Sequence, residues 1–259
     1  LEPDEYARIA EAEKGYWWYR ATRQLITDLL TPYAHAKGRF LDAGGGTGAI
    51  GGWLAERGSL VLADLEPAAL DYARRLHPDI DGLVRADLEH PPFPDESFDV
   101  VLCVTVLYHE MIRSPAVAAG QLGRLVKPGG VLCLLEPGVR RLHRAHDRVV
   151  HMARRFSRRD LHDLLTANGF VIEKSTGAYT FLVPPAAVKT VVERGRTASD
   201  LEETALSGVL ERLAKAERAL LKRVSLPFGL SVVALGRKPV PSAVATINRS
   251  GRRSRRARG

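Results

Sequence analysis

From residue 39 onward, short apolar runs alternate with stretches of helical periodicity. Arg39-Phe40-Leu41 leads into Asp42, and Leu60-Val61-Leu62 ends at Asp64. Gly82-Leu83-Val84-Arg85, Phe98 to Val104 and Val131 to Glu136 follow, then Phe170 to Ser175 and Gly229 to Arg237. Runs of this length, apolar on both faces and bounded by turn residues, predict buried strands. Helices are predicted between them: Ala49 to Arg57 with Gly58 as its stop, Pro67 to about Leu76, and Ser114-Pro115 through Val126. Lys127-Pro128-Gly129-Gly130 reads as a turn, and Ser157 to Asp160 as a capping box whose helix ends at Asn168-Gly169. Strands alternating with helices predict an α/β fold on a mostly parallel sheet.

Two segments lie outside that alternation. Glu5 to Lys14 and Tyr19 to Leu30 carry helical periodicity around Gly15, so residues 1–38 are expected to form an N-terminal helical cap. Between the sixth and last strands lie roughly fifty residues, far more than a hairpin needs. Ala186 to Arg194 and Leu201 to Arg223 within them are expected to be helical, with a break at Gly195 to Ser199. This insertion, about 180–225, is expected to form a lid over the ligand edge or a dimer face. Tyr179, Phe181, Leu182 and Val183 supply an apolar wall near its start.

Candidate chemistry gathers between Arg39 and Asp64. Gly44, Gly45, Gly46 and Gly48 follow Asp42 closely, so a ligand could lie against bare backbone. Asp64 falls about twenty residues further on, where a carboxylate can hold a ribose diol. Gly46-x-Gly48-x-x-Gly51 also satisfies the dinucleotide pattern, which keeps a nicotinamide-linked oxidoreductase as an alternative. Asp42 weighs against it: a carboxylate repels a pyrophosphate and attracts a sulfonium with an ammonium group.

The pattern Asp42-x-Gly44-x-Gly46-x-Gly48, the run PFPDESFDVV (residues 92–101) and the run LVKPGGVLCLLEP (residues 125–137) resemble class I S-adenosylmethionine-dependent methyltransferases. The resemblance is to the small-molecule branch that includes the ubiquinone and menaquinone C-methyltransferases. It implies a Rossmann-like, doubly wound, seven-stranded sheet whose last strand is antiparallel between the fifth and sixth. It implies S-adenosylmethionine as cofactor, with Asp42, Gly44, Gly46 and Gly48 around the methionine part. Asp64 and Leu65 would then serve the ribose, and Asp87 with Leu88 the adenine. It also implies a domain over 39–239.

Tyr108 and His109, in the loop after the fourth strand, should lie beside the transferable methyl group. His109 is the candidate base, since an imidazole titrates near neutrality. Trp17, Trp18, Arg23 and His143 are candidates for the lid or substrate wall. His146 and His151 are basic-segment alternatives. No Asn/Asp-Pro-Pro-Tyr or Pro-Cys follows the fourth strand, and no acid cluster suggests magnesium or another metal. A small, partly apolar metabolite therefore remains as acceptor, methylated at oxygen or carbon. A binding protein that keeps the fold without turnover is the other alternative.

Charge modifies the picture at one end only. The chain of 259 residues carries a net charge of +8, and six arginines lie between Arg249 and Arg258. Setting them aside leaves +2, so no nucleic-acid partner is expected of the globular part. Residues 240–259 read as a basic, solvated tail capable of weak contact with anionic membrane or RNA. Cys103 and Cys133 sit in apolar runs and read as core thiols of a cytoplasmic protein. The acidic, then aromatic, start lacks the pattern of a signal peptide. A homodimer is compatible with all of this.

Overall fold

In the computed structural model, residues 9–13, 15–140, 142, 147, 151–192 and 207–241 are described. Residues 9–13 are helical, and α1 follows at Trp17–Leu30. The strands are β1 (Arg39–Ala43), β2 (Ser59–Asp64), β3 (Gly82–Arg85), β4 (Phe98–Val104), β5 (Val126–Pro137), β6 (Val171–Ala178) and β7 (Ser231–Arg237). Between them run α2 (Pro67–Leu76), α3 (Pro115–Leu125), α4 (Arg158–Ala167), α5 (Val183–Val192) and α6 (Ser207–Leu221).

The seven strands form one sheet in the order β3-β2-β1-β4-β5-β7-β6. β1 to β5 are parallel to one another, and β7 runs antiparallel to both β5 and β6. The order reverses beside β1, so a crevice opens at the carboxyl ends of β1 and β4. Each strand feeds two cores through its two-residue period. Phe40, Val100, Leu102, Val131 and Cys133 face the side of α1, with Leu25, Ile26 and Leu30. Leu41, Val101, Cys103, Leu132 and Leu134 face α3 and α4, with Leu122, Leu125, Leu161 and Leu165.

Local signals act as their chemistry requires. The Ser114 hydroxyl accepts the Val117 N–H at the start of α3, with Pro115 in the first turn. Ser157 and Asp160 close a capping box on α4. Pro184 and Pro185 are accommodated in the first turn of α5, where their missing N–H groups cost nothing.

Several expected boundaries differ, among them α5, which starts at Val183 and not Ala186. The helix expected over Ala49 to Arg57 is a five-residue 3-10 turn, Gly52–Glu56. Glycine costs about 1 kcal/mol per helical position relative to alanine, and two glycines open this segment. The expected turn at Lys127 to Gly130 lies within β5. It is held there because Gly129 N–H donates to the Lys238 carbonyl (2.8 Å) and Lys238 N–H to the Gly130 carbonyl (2.9 Å). β6 runs three residues further than expected, to Ala178, because Thr176 to Ala178 pair with β7.

The insertion docks on the cap. Trp17 packs edge-on against Tyr179 at 5.7 Å, and the Tyr179 hydroxyl bonds the Thr22 hydroxyl at 2.8 Å. The Glu217 carboxylate on α6 accepts the N–H groups of Tyr179 and Thr180. The expected break at Gly195 to Ser199, the first residues expected of α6, and the tail beyond residue 241 lie outside the described residues. Among the described residues no helix is long and apolar enough to cross a membrane.

Candidate active site

β1 delivers Asp42 to the switch point with 2 % of its surface exposed. The glycine loop then turns over it. Gly44, Gly46 and Gly48 all take positive φ, at 71°, 58° and 88°. Gly44 and Gly45 donate their N–H groups to the Ala63 carbonyl, tying the loop to β2. A Cβ on Gly44 would strike Val106, and one on Gly51 would strike Asp42 Oδ2. A Cβ on Gly46 would meet nothing within 4 Å, so this crest faces open space.

Burial pushes the Asp42 carboxyl up to about 7; the charge of Asp64 adds to the rise, and the Gly51 N–H opposes it. Asp42 Oδ2 has no hydrogen-bond partner among the described residues. An orphaned carboxylate oxygen beneath a bare backbone crest is a site that a cation would satisfy.

At the end of β2, Asp64 is drawn onto the loop: Oδ2 accepts the Gly46 N–H (2.9 Å) and Oδ1 the Glu66 N–H (3.0 Å). Burial raises its pKa against those two bonds. Leu65 follows half-buried, its carbonyl accepting Arg85 Nε at 3.0 Å. Beyond β3, Asp87 accepts the Glu89 N–H at 2.8 Å, and this bond leads the lowering of its pKa. The Asp87 side chain stays 39 % exposed, beside buried Leu88.

The loop after β4 is built on Glu136. This fully buried carboxylate accepts the N–H groups of Val106, Leu107 and Tyr108 at 3.1, 2.8 and 3.2 Å. Burial pushes it up to about 8 despite those bonds. Thr105 enters the loop at φ 53°. His109 Nδ1 accepts the Met111 N–H at 3.1 Å, so in the neutral ring the proton sits on Nε2. His151 lies 5.7 Å from the His109 ring and bonds Glu110 through Nδ1. Of the basic-segment histidines, His143 and His146 lie outside the described residues.

The N-terminal segment closes the glycine side. The Thr47 hydroxyl donates to the Glu13 carboxylate, which burial pushes up to about 7. Burial raises the Tyr19 hydroxyl pKa as well, with the charges of Glu13 and Tyr108 adding to it. His77 packs where a Cβ on Gly48 or Gly52 would go, its pKa lowered by burial and then by Arg23. Trp17 is 3 % exposed and packs between cap and insertion. Trp18 is half-buried and Arg23 exposed.

Glu13, Thr47, His77 and the loop-capping role of Glu136 have no signature in the sequence. Each depends on a contact across more than twenty residues. The run of apolar residues ahead of Glu136 marked it only as the end of a strand.

Residues 41–134 match the protein family described as "Methyltransferase domain". Over that stretch the chain is similar to methyltransferase domains. The chain is 31 % identical over 157 residues to the ubiquinone/menaquinone biosynthesis C-methyltransferase UbiE of Erwinia tasmaniensis, covering 56 % of this chain and 57 % of that protein. It is 36 % identical over 100 residues to the malonyl-[acyl-carrier protein] O-methyltransferase of Pectobacterium atrosepticum, covering 38 % of each. The chain thus spans less than two thirds of the length of these curated relatives. Among solved structures it is similar to phosphoethanolamine N-methyltransferase 2 of Haemonchus contortus in complex with S-adenosyl-L-methionine. The TM-score is 0.54 at 17 % identity, over 83 % of this chain and 52 % of that one, a likeness of fold.

The site fits that cofactor. The orphaned oxygen of Asp42 and the open crest at Gly46 offer a cation partner and room. A dinucleotide pyrophosphate would instead want a helix N-terminus after the glycines. Here a 3-10 turn follows, with a carboxylate under Gly51.

Proposed function

We propose that this chain methylates a small, partly apolar acceptor, at oxygen or carbon, in the cytoplasm. Its two free, buried thiols, Cys103 and Cys133, suit that compartment. The observation that carries the reading is the juxtaposition of Asp42, Asp64 and Asp87 at neighbouring strand ends around a glycine loop with an open crest.

S-adenosylmethionine bound there supplies a methyl group activated on a sulfonium. Asp42, with the backbone of Gly44, Gly46 and Gly48, holds the cationic methionine part. Asp64 and Leu65 bind the ribose, for which Asp64 exchanges the Gly46 N–H for a diol. Asp87 and Leu88 hold the adenine. Orientation of the acceptor is then the main task left to the protein, and it can supply much of the acceleration.

Tyr108 and His109 line the acceptor side. With Nδ1 accepting the Met111 N–H, neutral His109 offers a donor at Nε2. We therefore assign it to the acceptor oxygen, as a donor through Nε2 or as the base expected from sequence. Trp18 and Arg23 border the acceptor side from α1. The C-methyl and O-methyl chemistry in the relatives' names supports the two acceptor classes.

The test is release of S-adenosylhomocysteine from S-adenosylmethionine in the presence of a panel of phenolic, quinol and carboxylate acceptors. Acceptor-dependent release supports the reading. Tight binding of the cofactor with no release for any class would favour a binding protein without turnover.

A further inference from the structure

α6 presents two apolar stripes, and the fold uses only one. Ala214 and Leu221 are buried against the cap, and Leu210 packs with them. Val209, Leu213, Ala216 and Leu220 are spaced by four, three and four residues, which places them on a second stripe. That stripe is open to solvent, with Val209, Leu213 and Leu220 at 51 %, 44 % and 47 % exposure.

The exposed charges beside it are cations. Arg212 and Arg223, both exposed, flank the stripe, and exposed Lys215 lies further round. Of the two acids of the helix, Glu211 lies on the far side and pairs with Arg20, while Glu217, on the other flank of the stripe, is engaged by the N–H groups of Tyr179 and Thr180. The chain leaving α6 adds exposed Val224 (42 %) and Phe228 (55 %). This exit is held in place, since Lys174 Nζ bonds the carbonyls of Leu221 (2.6 Å) and Val224 (2.8 Å) and Leu226 N–H bonds the Thr176 hydroxyl (2.9 Å).

We propose that the outer face of α6 docks on an anionic lipid surface, with Val209, Leu213 and Leu220 entering the acyl boundary and Arg212 and Arg223 level with the headgroups. A helix with an apolar stripe edged by cations binds such a surface through both terms, buried apolar area and attraction to anionic lipid. A second copy of this chain fits poorly. Pairing α6 with itself sets Arg212, Lys215 and Arg223 against the same cations, and four apolar positions fall short of the three or four heptads a helix pair wants. The proposal stands on this surface alone and does not depend on the group transferred.

The test is flotation of the full-length protein with phosphatidylcholine vesicles, with and without phosphatidylglycerol, at physiological and at high salt. The arginine-rich tail provides a purely electrostatic contact that high salt screens; apolar insertion survives it. The wild type is expected to float with phosphatidylglycerol vesicles at both salts. Leu213→Asn/Leu220→Asn should cut the high-salt fraction by about tenfold or more, as loss of two inserted leucines implies. Arg212→Glu/Arg223→Glu should lower flotation with anionic vesicles at physiological salt, leaving the part that the tail contributes. Circular dichroism and thermal melting confirm that each variant is folded, which the exposure of these positions favours. Equal flotation of wild type and the leucine variant would overturn the proposal and leave the tail as the contact. Absence of flotation by the wild type would overturn it too. So would a wild-type dimer in analytical ultracentrifugation that the leucine variant converts to monomer, which would make the face a self-interface.

Discussion

Asp64 Oδ2 accepts the Gly46 N–H at 2.9 Å, joining the acid at the end of β2 to the crest of the glycine loop. One carboxylate thus shapes the loop and, in the function proposed above, exchanges that bond for the ribose. Asp64→Ala should weaken S-adenosylhomocysteine binding by about 1–3 kcal/mol, the range for losing charged hydrogen bonds. Calorimetric titration checks it. Unchanged affinity would remove Asp64 from the ribose site.

The glycines of the loop should separate by role. Gly44→Ala forces a Cβ within 2.4 Å of Val106 at a positive φ and should destabilise the fold by about 2 kcal/mol or more. Gly46→Ala meets no atom within 4 Å and should cost only the left-handed backbone strain, about 1–2 kcal/mol. Its Cβ enters the open crest, however, so cofactor affinity should fall more than stability does. Urea midpoints and binding constants of the two variants decide this.

Three acids with raised pKa shape the response to pH. Asp42 and Glu13 are raised to about 7, and Glu136 to about 8, each chiefly by burial. A carboxyl whose pKa is raised on folding holds its proton in the native state where the unfolded chain has released it. Stability then falls as pH rises from the unfolded values near 4 up to about 8, and is fully present below that window. Urea unfolding across this range should show the decline, and Asp42→Asn should flatten part of it. A stability that rises with pH throughout would contradict the protonation assigned to these groups. By the same linkage, binding a cation at Asp42 below its raised pKa should release a proton, read from calorimetry in buffers of different ionisation enthalpy.

His109 has its own discriminating pair of variants. If it donates from Nε2, His109→Gln, whose amide N–H can reach the same place, should retain much of the activity that His109→Ala loses. A base predicts equal loss in both and a limb in the pH profile near the imidazole pKa. Acceptor-dependent turnover of the two variants tells them apart.

Glu136→Ala would leave the N–H groups of Val106, Leu107 and Tyr108 without their acceptor and should destabilise the chain by about 3 kcal/mol or more. Glu136→Gln keeps one acceptor oxygen and should cost less. Thermal melting of both variants gives the comparison.

What the sequence disclosed follows the range of the interactions. β3 and β4 begin and end where their apolar runs do, and the Ser157 capping box is wholly local. Asp42, Asp64 and Asp87 were legible because strand ends and glycine spacing are carried by the chain itself. The 3-10 turn at Gly52–Glu56 was not, since amphipathic residues there hid the helix-weakening glycines. The burial of Trp17 depends on Tyr179, over 160 residues away, and the roles of Glu13 and Glu136 depend on loops they meet only in the folded sheet. The tautomer of His109 rests on a single backbone N–H that no spacing rule reveals.

The most direct measurement is calorimetric titration of the full-length protein with S-adenosylhomocysteine and, in parallel, with NAD⁺. The arrangement of Asp42, Asp64 and Asp87 around the open Gly46 crest predicts binding of the first at about micromolar affinity, near −8 kcal/mol, and none of the second. Binding of NAD⁺ without S-adenosylhomocysteine would contradict the assignment of these acids and of the loop between them.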